Sequence, residues 1–126
     1  VLVDVGHNPQ AAGALSAWLH ATPVAGRTHA VYAALADKDV AAVVAAVADR
    51  IDQWWLAGSV DAGSRGLEAH ALAQRLAGTA ARQARVHRDV PQAVRAVLAE
   101  AEPGDRVLVF GSFHAAAEAL RLLASG

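Results

Sequence analysis

The chain has 126 residues, 55% of them hydrophobic, which fits one domain with a sizeable core and excludes a disordered chain. Eleven basic residues against twelve acidic ones leave a net charge of -1, so no global field draws the protein to nucleic acid or anionic lipid, and neither is an expected partner. Cysteine is absent, which excludes disulfides, thiol nucleophiles and thiolate metal sites; a reducing cytoplasm is the expected location.

Val1, Leu2, Val3 and Val5 read as a buried strand that Gly6 ends. A helix follows within about four residues. Asn8 is a good N-cap, Pro9 sits where a helix tolerates proline, and Ala11 to Leu19 keep helical spacing. Asp4, His7 and Asn8 thus gather where a strand hands over to a helix N-terminus, whose free N–H groups and partial positive charge favour anions. The same three residue types are also ordinary capping and turn residues.

The unit recurs along the chain. Thr28 to Leu35 read as a second strand, ending in the polar cluster Asp37-Lys38-Asp39, and a helix over Val40 to Arg50 follows. Ile51 to Gly58 form the third strand, with a loop from Ser59 to Gly66 and a helix from about Leu67 to Leu76. Trp54 and Trp55 adjoin on that strand, so one faces each side, and core packing is their expected role. The fourth unit is Ala84 to His87, then Asp89 capping a helix from Pro91 to Ala101. The fifth is Arg106 to Phe110, then Gly111-Ser112-Phe113-His114 and a helix from Ala115 to Ala124.

Five strand-helix alternations predict a three-layer, Rossmann-like α/β domain with a mostly parallel sheet. Right-handed crossovers would put every polar junction on one sheet edge: His7 and Asn8, Asp37 to Asp39, Ser59, His87 and Asp89, and Ser112 to His114. That edge is the candidate site. It carries neither a Walker-type phosphate loop nor a dinucleotide fingerprint, and the six histidines are dispersed with no metal motif, so no metal ligand is assigned. Gly111-Ser112-Phe113-His114 fails as a nucleophile elbow, because His114 stands where that motif needs glycine. Ser112 reads instead as an N-cap whose hydroxyl and following amides could hold a carboxylate or phosphate.

Four ordered motifs carry a resemblance over essentially the whole chain. They are Asp4-Val5-Gly6-His7-Asn8-Pro9, Leu35-Ala36-Asp37-Lys38-Asp39-Val40, Ser64-Arg65-Gly66 and Val109-Phe110-Gly111-Ser112-Phe113-His114. Together they resemble the C-terminal domain of bacterial bifunctional dihydrofolate synthase/folylpolyglutamate synthase, of the Mur ligase superfamily. Gly6, Ser64 and Ala115 stand where that family usually has alanine, proline and threonine. The resemblance implies a Mur ligase C-terminal domain fold and an ATP-dependent, ADP-forming amide ligase. Such a ligase adds L-glutamate to dihydropteroate or to a folylpolyglutamate through an acyl phosphate. It implies ATP and Mg2+ as cofactors, held mainly by an N-terminal ATPase domain that closes against this one.

By the same resemblance Asp4 and Asn8 are nucleotide-side residues, and His7 faces the reacting groups as the candidate catalytic residue. Ser112, at a helix N-terminus, is the candidate for binding the glutamate carboxylate, with His114 and Lys38 as further substrate-binding members of the same edge. Residues 1–126 are expected to be one excised domain, since the chain lacks methionine and opens inside a strand. By itself it should be monomeric and inactive. A muramyl-peptide ligase C-terminal domain and a non-catalytic nucleotide-binding or interaction module are the alternatives.

Overall fold

The protein is described from a computed structural model, which covers residues 2–4, 8–59 and 67–125. The strand-helix alternation yields β1 (Leu2–Val3), α1 (Pro9–Ala21), β2 (Thr28–Tyr32), α2 (Val40–Val47), β3 (Gln53–Ala57), α3 (Ala69–Arg75), β4 (Arg85–His87), α4 (Val90–Glu100), β5 (Arg106–Phe110) and α5 (Phe113–Ser125). All strand pairings are parallel, in the order β1-β5-β2-β3-β4. The last strand in sequence is therefore inserted between the first and the second.

Alternate side chains of a strand point to opposite faces, and the sheet is apolar on both. Tyr32, Trp54, Leu56, Leu108 and Phe110 pack on one face with α1, α2 and α3. Val31, Trp55, Val107 and Val109 pack on the other with α4 and α5. The adjacent tryptophans do face opposite layers, each in a core.

Helix starts follow local chemistry. Asn8 accepts from the Ala11 N–H at 2.8 Å with Pro9 in the first position, and Asp89 accepts from the Gln92 N–H at 2.9 Å with Pro91 in the first turn. Asp39 and Glu68 cap α2 and α3 in the same way. Two elements are shorter than their apolar runs. β2 ends at Tyr32, although Ala33 and Ala34 remain fully buried. The helix expected to reach Arg50 tightens into a 3-10 turn at Ala48–Arg50.

The edge at the N-terminal ends of the strands is held by groups 76 residues apart in sequence. His29 is fully buried; its Nδ1 accepts from the Trp55 indole N–H at 3.3 Å, and its Nε2 lies 2.9 Å from Asp105 Oδ2. Because indole only donates, Nδ1 is the acceptor and the Nε2–H donates to the carboxylate. This bond, with those from the Arg27 and Glu102 N–H groups, pulls the Asp105 carboxyl down to about 2. No helix of the described residues is long and apolar enough to cross a membrane.

Candidate functional site

With every strand parallel, all strand C-termini share one edge, as the spacing predicted. The strand order then makes one part of that edge special. β1 and β2 lead into α1 and α2 on one face, whereas β5, which lies between them, leads into α5 on the other. Such a switch point, where neighbouring strands send their helices to opposite faces, is where open α/β sheets form a crevice that takes ligands.

The β5–α5 junction forms the middle of the crevice. Gly111 has φ of 122°, and a Cβ there would overlap the Ala33 carbonyl oxygen, so the turn brings two backbones together in a way only glycine permits. Ser112, 2% exposed, accepts from the Ala115 N–H at 3.0 Å through its hydroxyl. It is therefore an N-cap, as expected, and a hydroxyl that accepts still carries a proton it can donate. His114 lies in the first turn of α5.

On one side stands β1. The Asp4 N–H extends the ladder to the Val109 carbonyl at 2.9 Å, and its exposed residue lines a cavity of about 420 Å³ between β1 and α1, with Leu2, Leu15 and Trp18. Asn8 is exposed and engaged as a cap. His7 and the Ser64-Arg65-Gly66 motif lie outside the described residues.

On the other side stands the β2–α2 loop. The Ala33 N–H donates to Phe110 O at 3.3 Å, the Leu67 N–H to Ala34 O at 3.2 Å, and the Lys38 N–H closes a turn on Leu35 O at 3.2 Å. Lys38 is half-buried, and among the described residues no ion pair engages it. Strands sit about 4.8 Å apart, so Asp4, Ser112 and the Lys38 loop rise from three neighbouring strands about 10 Å across.

Ser59, His87 and Asp89 stand farther along the edge, on β3 and β4. The Ser59 hydroxyl is buried without a hydrogen-bond partner among the described residues, and the Ser59 N–H ties to Leu67 O at 3.0 Å. The His87 ring stacks on Trp55 at 5.7 Å, with the Arg85 guanidinium over the same indole at 4.6 Å. Burial, helped by Arg85, lowers the His87 pKa. Asp89 is occupied as a cap, so His87 and Asp89 belong to packing and helix initiation rather than to the crevice.

Sequence reasoning missed Arg75, whose guanidinium bonds the loop backbone under Lys38, and Tyr32, whose buried hydroxyl lacks a partner among the described residues. Neither left a local signal. Among the described residues no group of three or more His, Asp or Glu side chains is placed to hold a metal.

A parallel sheet covered by helices on both faces, with a topological switch point at β5, defines a three-layer α/β domain. Residues 1–113 match the family described as the Mur ligase, glutamate ligase domain, and the chain belongs to that family. It is 37% identical over 123 residues to the dihydrofolate synthase/folylpolyglutamate synthase of Escherichia coli K12, covering 98% of this chain and 28% of that protein. A structure of Escherichia coli FolC with DHPP and ADP matches with TM-score 0.86 at 37% identity, over 98% of this chain and 28% of that one. A bifunctional folylpolyglutamate synthase/dihydrofolate synthase with Mn, AMPPNP and L-glutamate bound matches with TM-score 0.85 at 37% identity, over 96% and 28%. The chain thus spans just over a quarter of the length of these relatives.

Proposed function

We propose that this chain is the C-terminal domain of an ATP-dependent amide ligase that joins L-glutamate to dihydropteroate or to a folate glutamyl chain. The observation that carries the reading is the convergence, on three adjacent strand ends, of three motifs that the resemblance rests on: Asp4, the Lys38 loop and Gly111-Ser112. Relatives with solved structures hold ADP or AMPPNP, and one holds L-glutamate.

In this reading ATP supplies the activation of the substrate carboxylate as an acyl phosphate, which the glutamate amine then attacks. The residues present fit a supporting share of the nucleotide site and not the whole of it. Gly111 is spent on a close backbone approach to Ala33; by the resemblance, the phosphates and Mg2+ would be held mainly by the ligase's ATPase domain. Ser112 donates its hydroxyl proton to the incoming glutamate's carboxylate, with Lys38 supplying opposite charge and His114 standing in the same helix turn. Asp4 contacts the nucleotide, as does Asn8, and by the resemblance His7 is the catalytic residue. Closure dries the crevice, so these few charges act at low dielectric, and the gain comes from positioning and electrostatic stabilisation.

The test is coupling of L-glutamate to dihydropteroate, and separately to a reduced folate, by the full-length ligase containing this chain, with ATP and magnesium. Stoichiometric ADP, phosphate and amide product support the reading. Ligation of a muramyl peptide in place of both substrates overturns it.

A further inference from the structure

We propose that Arg75 is a positioning residue for the substrate edge and acts through Lys38, an inference that rests on the reading of Lys38 as a substrate contact. Arg75 is the last residue of α3, the third element after the loop it serves. Its Nη1 donates to the Ala36 carbonyl at 2.9 Å and its Nη2 to the Lys38 carbonyl at 2.6 Å. Loop carbonyls outside helix and sheet need partners from side chains or water. Here a single planar fork serves both, and its fixed geometry sets their separation. The turn bond from the Lys38 N–H to Leu35 O precedes this clamp, and the Asp39 cap of α2 follows it. Lys38 is thus held on both sides while its ammonium remains outside any ion pair among the described residues.

Beneath the loop lies Tyr32, fully buried, with its hydroxyl unpartnered among the described residues. Burial pushes that hydroxyl's pKa up, and the Arg75 charge partly opposes the shift. Arg75 is itself exposed, and its bonds go to loop backbone rather than to the core. What the clamp does supply is a preset backbone for a charged group at the crevice, so that less ordering is left to the moment of binding.

The experiment uses the full-length ligase and the variants Lys38→Ala, Arg75→Ala, Arg75→Lys and the Lys38→Ala/Arg75→Ala pair, with KM for L-glutamate, kcat and Tm measured for each. Arg75→Ala should raise KM about tenfold with kcat within about twofold, as for the loss of one charge-assisted contact. Arg75→Lys should recover part of this, since an ammonium is a point donor and cannot span both carbonyls. The double variant should be no worse than Lys38→Ala by more than about twofold, because one effect runs through the other. Multiplying effects, or Arg75→Ala leaving KM unchanged while Lys38→Ala raises it, overturns the inference and leaves the site reading intact. Lys38→Ala without effect on KM overturns the reading of Lys38 and the inference with it. Should Arg75→Ala fail to fold, Arg75→Gln and Arg75→Lys make the same comparison with Lys38→Ala.

Discussion

Gly111→Ala should be among the most damaging single-methyl additions to this chain. The backbone there has φ of 122°, where an L side chain is strained at a cost of about 1–3 kcal/mol. The new Cβ would also overlap the Ala33 carbonyl oxygen and come within 2.8 Å of the Tyr32 ring. That ring cannot retreat: Tyr32 is fully buried, with Phe110 4.8 Å away and Trp54 at 6.4 Å. Overpacking of this kind adds about 1–3 kcal/mol, so a total loss near 4 kcal/mol is expected, out of the 5–15 kcal/mol that about this size of domain has to lose. Urea unfolding of the domain followed by tryptophan fluorescence measures it, with Tm falling by roughly 10–20 °C. Gly13→Ala is the control, because nothing lies within 4 Å of its added Cβ in the exposed middle of α1; it should stabilise by about 0.5–1 kcal/mol. A loss below about 1 kcal/mol for Gly111→Ala would refute the crossing of β5 and β2 described here.

Asn8→Ala should cost about 1 kcal/mol through the lost cap of α1, read from the same unfolding curves. The Asp105 carboxyl lies below its ordinary value, so the stability it contributes is full above about pH 4 and is lost as pH falls through about 2. The gap in Tm between wild type and Asp105→Asn should accordingly be widest at pH 4 and above and narrow toward pH 2; a gap that does not change with pH contradicts the bonding seen at His29. The isolated chain should fold but show no ATP-dependent coupling of glutamate to dihydropteroate in a radiolabelled-glutamate assay, and measurable turnover would contradict the division of labour proposed above. In the full-length ligase His7→Ala should lower kcat and kcat/KM together, whereas Asp4→Ala should chiefly raise KM for ATP; near wild-type kinetics for both would leave this junction as a helix cap.

The features legible in the sequence were those encoded by neighbours. Asn8, Asp89 and Ser112 each bond an N–H three residues on, so a few residues suffice to read the cap. The pairing of Trp54 with one core and Trp55 with the other follows from the period of a strand. The end of β2 was not legible, because Ala33 and Ala34 stay buried after the strand ends and keep the apolar signal running. Nor was the insertion of β5 between β1 and β2, which depends on long-range pairing yet decides that Asp4, Ser112 and Lys38 share a crevice while His87 does not. The His29–Asp105 bond and the Arg75 clamp join residues 76 and 37 to 39 positions apart, and their side chains carry no local pattern that announces a partner.

The central claim is that the crevice beside β5 receives the glutamate to be coupled. A crystal structure of the full-length ligase with L-glutamate and a non-hydrolysable ATP analogue tests it most directly. A glutamate carboxylate is expected within hydrogen-bond distance of the Ser112 hydroxyl, on the side of the crevice that the Lys38 loop closes. L-glutamate bound with no contact to the C-terminal ends of β1, β5 or β2 would contradict it.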